Sequence, residues 1–213
     1  MEVELLAVTP DAERVIEEAG RTCYMSQERA SDAGRPKFIR MLVSRGHLSV
    51  LEHAIATFRI KGMSRAATHQ IVRHRLCSFS QRSQRYVKEA GQRPVMPPSI
   101  EGNAEAAACF SEAMAYAQAA YDSLLKLGVP KEDARFVMPN ATPSEIVISA
   151  NFRELRHIIA VRGSRVAQWE VRMMAACILE KMRAIAPNVF FDFDLDGDGC
   201  VVGASPDGKV ETR

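Results

Sequence analysis

From His53 to Lys88 the chain carries not one Asp or Glu, while Arg59, Lys61, Arg65, Arg73, Arg75, Arg82, Arg85 and Lys88 supply eight positive charges. Whatever fold the chain adopts must place this segment where a compensating anion can reach it, because like charges are not buried together without partners. The densest part, residues 73–85, reads RHRLCSFSQRSQR: four arginines, one histidine and three serines. The whole chain of 213 residues is only +2, so the positive charge is local rather than a general coating.

With 47% hydrophobic and 25% charged residues, the chain can bury a sizeable core, and one domain is the expected organisation. The N-terminus has an acidic second residue and no basic n-region, which fits neither a signal nor a transit peptide, and no apolar run approaches the length of a membrane span. Five cysteines form an odd set with no CxxC pair, which argues against a disulfide framework and against a structural zinc site. A reducing cytoplasm is the expected location, and no metal is expected.

The pattern along the chain mixes strands and helices. Residues 2–8 alternate as a strand, and Thr9-Pro10 reads as an N-cap with proline at the first helical position, opening a helix to about Gly20. A second helix is predicted over residues 36–45, stopped by Gly46, followed by a half-buried strand over residues 54–61 that ends at Gly62. From Ser64 the spacing predicts a helix running into the basic segment, with Gln70, Arg73 and His74 sharing one face. Residues 103–127, closed by Gly128, are the clearest helix, with Phe110, Met114, Ala117, Tyr121 and Leu124 as its apolar stripe. A strand is predicted over residues 145–149 and helices over 151–161 and 166–185. Residues 1–190 form the expected domain, with 191–213 an acidic, irregular, solvated tail.

Arginine keeps its charge at any relevant pH and presents a planar fork of donors, so several arginines beside serine hydroxyls suit a phosphate or carboxylate. Alternate residues of an extended chain point the same way, which lets Gln81, Ser83 and Arg85 line one surface. On composition alone a solvated basic face or a nucleic-acid-binding module using residues 59–88 is the commoner explanation of an arginine cluster, and composition does not decide between these and an anion site.

Spacing adds information that composition lacks. Arg73-His74-Arg75, then seven residues, then Ser83 resembles the RHRx7S signature of the flavin-dependent thymidylate synthases. Gly46-His47-Leu48-Ser49 with Glu52-His53 is similar to a second segment of that family. Gln70, the run GVPKEDARFVMP, Asn151-Phe152-Arg153 with His157, and Arg162 followed by AQWE fall in the family's order. The resemblance spans about residues 19–185.

What the resemblance implies is an α+β fold with a mainly antiparallel sheet flanked by long helices, in a homotetramer whose active sites are shared between chains. It implies reductive methylation of dUMP to dTMP, with methylenetetrahydrofolate as one-carbon donor, FAD as hydride carrier and NADPH as reductant. Ser83, Gln84 and Arg85 would hold the nucleotide phosphate, with Gln70, Arg73 and Gln81 on the same ligand. Arg135 and Arg162 would reach it from a neighbouring subunit, Arg162 polarising the uracil without a covalent enzyme nucleophile. Ser49, Arg73, His74, Arg75, Gln81, Asn151, Arg153 and His157 would contact FAD, and His47 would lie near flavin and folate. Where many members have Asn-Glu inside the motif, this chain has Ser80-Gln81. A non-catalytic nucleotide-binding homologue is the other alternative.

Several features compete for attention. Ser83 has no readable Ser-His-Asp partners, and Cys77 matches no required cysteine of the family, so both are expected to act otherwise than as nucleophiles. His53, His69 and His157 also admit a reading as satisfied structural histidines. Trp169 and the methionines Met173, Met174 and Met182 are expected in the core or, for Trp169, at an interface. Asp192, Asp194, Asp196, Gly197 and Asp198 imitate an EF-hand opening, but position twelve is Gly203, not a bidentate Glu.

Overall fold

In the computed structural model, which describes residues 1–89, 91 and 93–203, the framework is a four-stranded antiparallel sheet. Strand β1 is Glu2–Val8, β2 Ile55–Ser64, β3 Ser78–Gln81 and β4 Pro143–Asn151, in the order β1-β2-β4-β3. Alternation along β2 and β4 turns Ala56, Phe58, Ile60, Ile146, Ile148 and Ala150 onto one buried face. Arg59, Lys61 and Glu145 stand on the other face, where Arg59 bridges Glu4 and Glu145 and Lys61 approaches Glu2 and Glu4.

Helices α1 (Ala12–Thr22), α2 (Arg35–Ser44), α3 (Arg65–Ile71), α4 (Pro98–Glu101), α5 (Ala104–Lys126), α6 (Lys131–Ala134), α7 (Phe152–Gly163) and α8 (Trp169–Ile185) complete the domain. Ile158 and Ile159 of α7 and Val171, Met174, Ile178, Leu179 and Met182 of α8 join the buried face of the sheet in one continuous core. This is the expected α+β arrangement with helices flanking an antiparallel sheet.

The differences have local causes. Thr9 and Pro10 do not open α1. The helix begins after Asp11, which sits at φ 47°, while the Thr9 hydroxyl accepts the Ile55 amide and so ties the turn to β2. Gly62 does not end β2 but makes a bulge at φ 75°, a conformation cheap only for glycine, and the strand resumes to Ser64. Helix α3, capped by the Ser64 hydroxyl, stops at Ile71, so Gln70, Arg73 and His74 do not share a helical face. On α5 only Tyr121 is fully buried; the rest of its apolar stripe is half-covered.

The acidic segment after residue 190 is not an irregular solvated tail where it is described. Strands β5 (Phe193–Leu195) and β6 (Val201–Gly203) pair as a hairpin whose Phe193 and Val201 belong to the core. Its aspartates are partnered: Asp192 takes a bidentate pair from buried Arg156, Asp194 meets Arg183, and Asp196 and Asp198 meet Arg165. Gly163 makes room for it, since a Cβ there would lie 2.2 Å from Val201 Cγ2. The remainder of that segment, 204–213, lies outside the described residues. Met174 and Met182 are core as expected, but Met173 is exposed, and Trp169 is half-buried beside the Gln168 cap of α8. No helix among the described residues is long and apolar enough to cross a membrane.

Candidate active site

The RHR motif lies in two tight turns after α3. The His74 amide donates to the Ile71 carbonyl, and the Cys77 amide donates to the His74 carbonyl. These turns carry His74 inward, leaving it 6% exposed, and turn Arg73 and Arg75 outward. Neither of those arginines has an ion-pair partner among the described residues.

Helix α7 meets the inward side. Asn151 caps it by accepting the Glu154 amide, so the Glu154 side chain is free to point elsewhere. It lies 3.0 Å from His74 Nδ1, and both groups are buried. Arg162, near the end of α7, reaches back along the helix, as side chains tilt toward the N-terminus. Its Nε donates to His74 Nε2 at 3.0 Å and its Nη2 to the Gln70 carbonyl at 3.1 Å, while Nη1 has no hydrogen-bond partner among the described residues. The exposed His157 ring stands edge-on to His74 with centroids 5.5 Å apart. Burial holds the His74 pKa below its ordinary 6.5, against the raising influence of Glu154 and with the Arg162 charge adding to the lowering.

His74, Glu154 and His157 are close enough together to be considered as metal ligands. Their chemistry does not fit an ion. Both His74 nitrogens are engaged, one of them by a guanidinium whose charge would repel a cation. Cys77, half-buried and near Glu154, has its thiol pushed up to about 12 by burial, so it is no thiolate at neutral pH.

The serine-rich end of the motif lies apart from this cluster. Strand β3 ends at Gln81, whose amide nitrogen donates inward to Thr68 and Ser144. Gln81, Ser83 and Arg85 therefore do not line one extended surface: Ser83 opens a turn, its hydroxyl accepting the Arg85 amide. Arg85 is exposed and pairs with Glu132, while Gln84 is buried. Arg135 donates to the Glu132 carbonyl, so within one chain it belongs with Ser83 and Arg85, whereas Arg162 belongs with Gln70 and His74.

Of the other expected flavin contacts, Ser49 and Arg153 are exposed, Arg153 in a 2.6 Å pair with Glu52, and Asn151 uses its Oδ1 to cap α7. His74 is enclosed rather than presenting its ring nitrogens to a cofactor. His47 is exposed and lines a cavity of about 520 Å³ with Arg21, Tyr24, Arg29, Phe38 and Arg45. The histidines read as structural do not behave so, for His53, His69 and His157 are all exposed.

Glu154 is the residue that sequence reasoning misses. Asn151-x-x-Glu154 reads as a capping box, which accounts for the glutamate locally and hides its role across the fold. The long basic segment also reads differently once folded. Arg59 and Lys61 meet acids of β1 and β4, Arg82 pairs with Glu89, Arg85 with Glu132 and Lys88 with Asp122, so acids outside the segment partner five of its eight cations.

An antiparallel sheet with an arginine anchored on a buried histidine and carboxylate, beside unpaired arginines, defines an anion-binding enzyme site. The family model for thymidylate synthase complementing protein, Thy1, matches residues 4–188. The flavin-dependent thymidylate synthase of Geobacter sulfurreducens is 43% identical over 99% of this chain and 93% of its own length. Among solved structures, thymidylate synthase X from Helicobacter pylori with FAD and dUMP superposes with a TM-score of 0.75 at 25% identity, covering 90% of this chain and 98% of that one. The UMP/dUMP methylase PolB from Streptomyces cacaoi, bound with 5-Br dUMP, shares the fold at a TM-score of 0.80 and 24% identity, over 89% and 93% of the two chains. This chain belongs to the family of flavin-dependent thymidylate synthases.

Proposed function

We propose that the chain converts dUMP to dTMP, with methylenetetrahydrofolate giving the one-carbon unit and NADPH the reducing equivalents. The observation that carries this reading is the Arg162 guanidinium, held at Nε by His74 and at Nη2 by the Gln70 carbonyl, with the His157 ring against His74 and the exposed Arg73 and Arg75 flanking His74 in the chain. The exposed Arg73, Arg75 and Arg153, with Ser49 and His157 as hydrogen-bonding groups, fit FAD, which when bound supplies a carrier that takes hydride from NADPH and passes it on. Arg162 cannot act as a base, but it can stabilise negative charge on the pyrimidine as C5 becomes nucleophilic. No enzyme nucleophile takes part, consistent with the protonated Cys77 thiol. Ser83, Gln84 and Arg85 grip the phosphate, with Gln70, Arg73 and Gln81 completing the nucleotide contacts, Arg135 reaches the nucleotide from a neighbouring subunit, and His47 faces the folate.

The site is shared between chains of a homotetramer. Supporting this, Arg162 and Arg85 are anchored to separate parts of one chain, and α5 leaves its apolar stripe half-covered with Tyr116 exposed. All the cysteines are free, which suits a reducing cytoplasm. A nucleic-acid surface is disfavoured because Arg59, Lys61, Arg82 and Lys88 are already paired within the chain.

The test is dTMP formation from dUMP and methylenetetrahydrofolate, coupled to NADPH oxidation, by protein that purifies with a flavin spectrum. Flavin binding and dUMP binding without turnover would leave a non-catalytic homologue as the answer. Mixing inactive Arg162→Ala protein with Arg85→Ala protein, reassembling them and assaying at dUMP far below the raised KM of Arg85→Ala, regains activity if sites are shared. No recovery after verified subunit exchange counts against sharing.

A further inference from the structure

We propose that Glu154 is a positioning residue for the reaction: by accepting from His74 Nδ1–H, it leaves His74 Nε2 unprotonated and so able to orient the Arg162 guanidinium. The inference rests on the reading of Arg162 given above and deepens it.

Donors and acceptors fix the tautomer of His74. A guanidinium Nε carries a hydrogen and has no lone pair to offer, so the 3.0 Å contact from Arg162 Nε requires a bare Nε2 on the imidazole. A neutral imidazole with a bare Nε2 holds its proton on Nδ1, and that atom needs an acceptor 3.0 Å away, which Glu154 Oε1 provides. The carboxylate therefore selects the tautomer at one nitrogen, and the tautomer selects the arginine at the other. With Nε and one Nη2 hydrogen engaged, the two Nη1 hydrogens and the second Nη2 hydrogen are left to meet a ligand.

Protonating His74 would break the chain of bonds, since both nitrogens would then donate and Nε2–H would oppose Arg162. The charged or titratable groups facing the imidazole are Glu154, Arg162 and His157, all from α7. Glu154 favours the protonated ring; Arg162 and His157 oppose it. Neutralising Glu154 while keeping an acceptor, as in Glu154→Gln, should therefore lower the pH at which activity fails on the acid side, because the charge that helps the imidazole take a proton is gone. Removing the acceptor, as in Glu154→Leu, frees the tautomer and lets Arg162 swing.

The experiment measures kcat and KM for dUMP across pH in the holoenzyme, for wild type, Glu154→Gln, Glu154→Leu, Arg162→Ala and the double variant Glu154→Leu/Arg162→Ala. Glu154→Leu is expected to lower kcat about a hundredfold, the scale of a misplaced catalytic group, with a smaller change in KM. The double variant should be no slower than Arg162→Ala alone, and Glu154→Gln should recover much of the rate with its acid limb moved down. If Glu154→Leu fails to fold, the acid limb of Glu154→Gln decides. An unmoved limb, or multiplicative losses in the double variant, overturns the proposal. The ¹⁵N shifts of the His74 ring in wild type give a readout that does not depend on turnover: a protonated Nε2 with a bare Nδ1 also overturns it. Wild type that makes no dTMP while His74 shows a bare Nε2 would instead sink the functional reading and spare the tautomer.

Discussion

The two arginines expected to handle the nucleotide, Arg162 and Arg85, are held in opposite ways. Arg162 rests on a buried histidine and a backbone carbonyl, with a buried carboxylate behind the histidine. Arg85 is more than half exposed and is held by Glu132, which is itself partly exposed, in an ion pair of the kind that solvent and salt screen. The first arrangement fixes a guanidinium before any ligand arrives, as stabilisation of a developing charge requires. The second gives its arginine up readily to a better anion, as reversible phosphate binding requires.

Substituting each arginine should break that comparison most visibly. Arg162→Ala is expected to lower kcat by about a hundredfold to a thousandfold, the usual cost of deleting a preorganised donor, with dUMP affinity much less affected. Arg85→Ala should do the reverse, raising KM for dUMP by about tenfold to a hundredfold, the scale of one charge-assisted hydrogen bond, while kcat stays close to wild type. Steady-state kinetics at saturating NADPH distinguishes them. Equal losses in kcat for both would erase the distinction between a catalytic and a gripping arginine.

A third variant probes the framework next to Arg162 rather than the arginine itself. Gly163→Ala places a Cβ against Val201 in the hairpin, so either α7 or the hairpin must shift. Overpacking of this kind costs about 1–3 kcal/mol, read as a lowered denaturation midpoint with unchanged slope. Because the shifted residue adjoins Arg162, a loss of kcat in the folded protein is also expected. No change in stability would mean that the hairpin moves away freely and lends the site no support.

The pH dependence sharpens the same contrast. His74 is held below its ordinary value of 6.5 by burial, so the unfolded chain binds a proton there more readily than the folded one. The stability this contributes is complete above 6.5 and is lost as pH falls from there through the lower folded value. Activity resting on Arg162 should survive below pH 6.5 and then fail. An acid limb of kcat at or above 6.5 would contradict the buried imidazole.

How much of this was legible depends on whether a signal was local. The apolar alternation that gives β2 and β4 and the caps at Ser64, Asn103 and Asn151 are contained within a few residues, and the structure follows them. The bulge at Gly62 and the failed start at Thr9-Pro10 depend on a neighbouring strand and could not be seen. Arg73 and Ser83 were singled out by the spacing of the RHRx7S motif, and Arg162 by its place in the family's order of segments. Glu154 was not, because its partner lies 80 residues away and its local context already explains a glutamate there. The same reason makes the acid-free segment mislead: its acids, Glu4, Glu89, Asp122, Glu132 and Glu145, come from elsewhere in the chain.

The smallest expected effect bears on the weaker of the two arginine settings. Glu132→Gln removes the partner of Arg85 but leaves the backbone carbonyl that receives Arg135. An exposed pair is worth about 0–1 kcal/mol, so thermal stability should hardly change. If Glu132 competes with the nucleotide phosphate for Arg85, freeing the arginine should lower KM for dUMP by a fewfold at most, and the gain should shrink as salt is raised and screening weakens the original pair. If Glu132 instead holds Arg85 in the geometry that the phosphate needs, KM rises. That outcome would make Arg85 preorganised after all and remove the distinction between the two arginines.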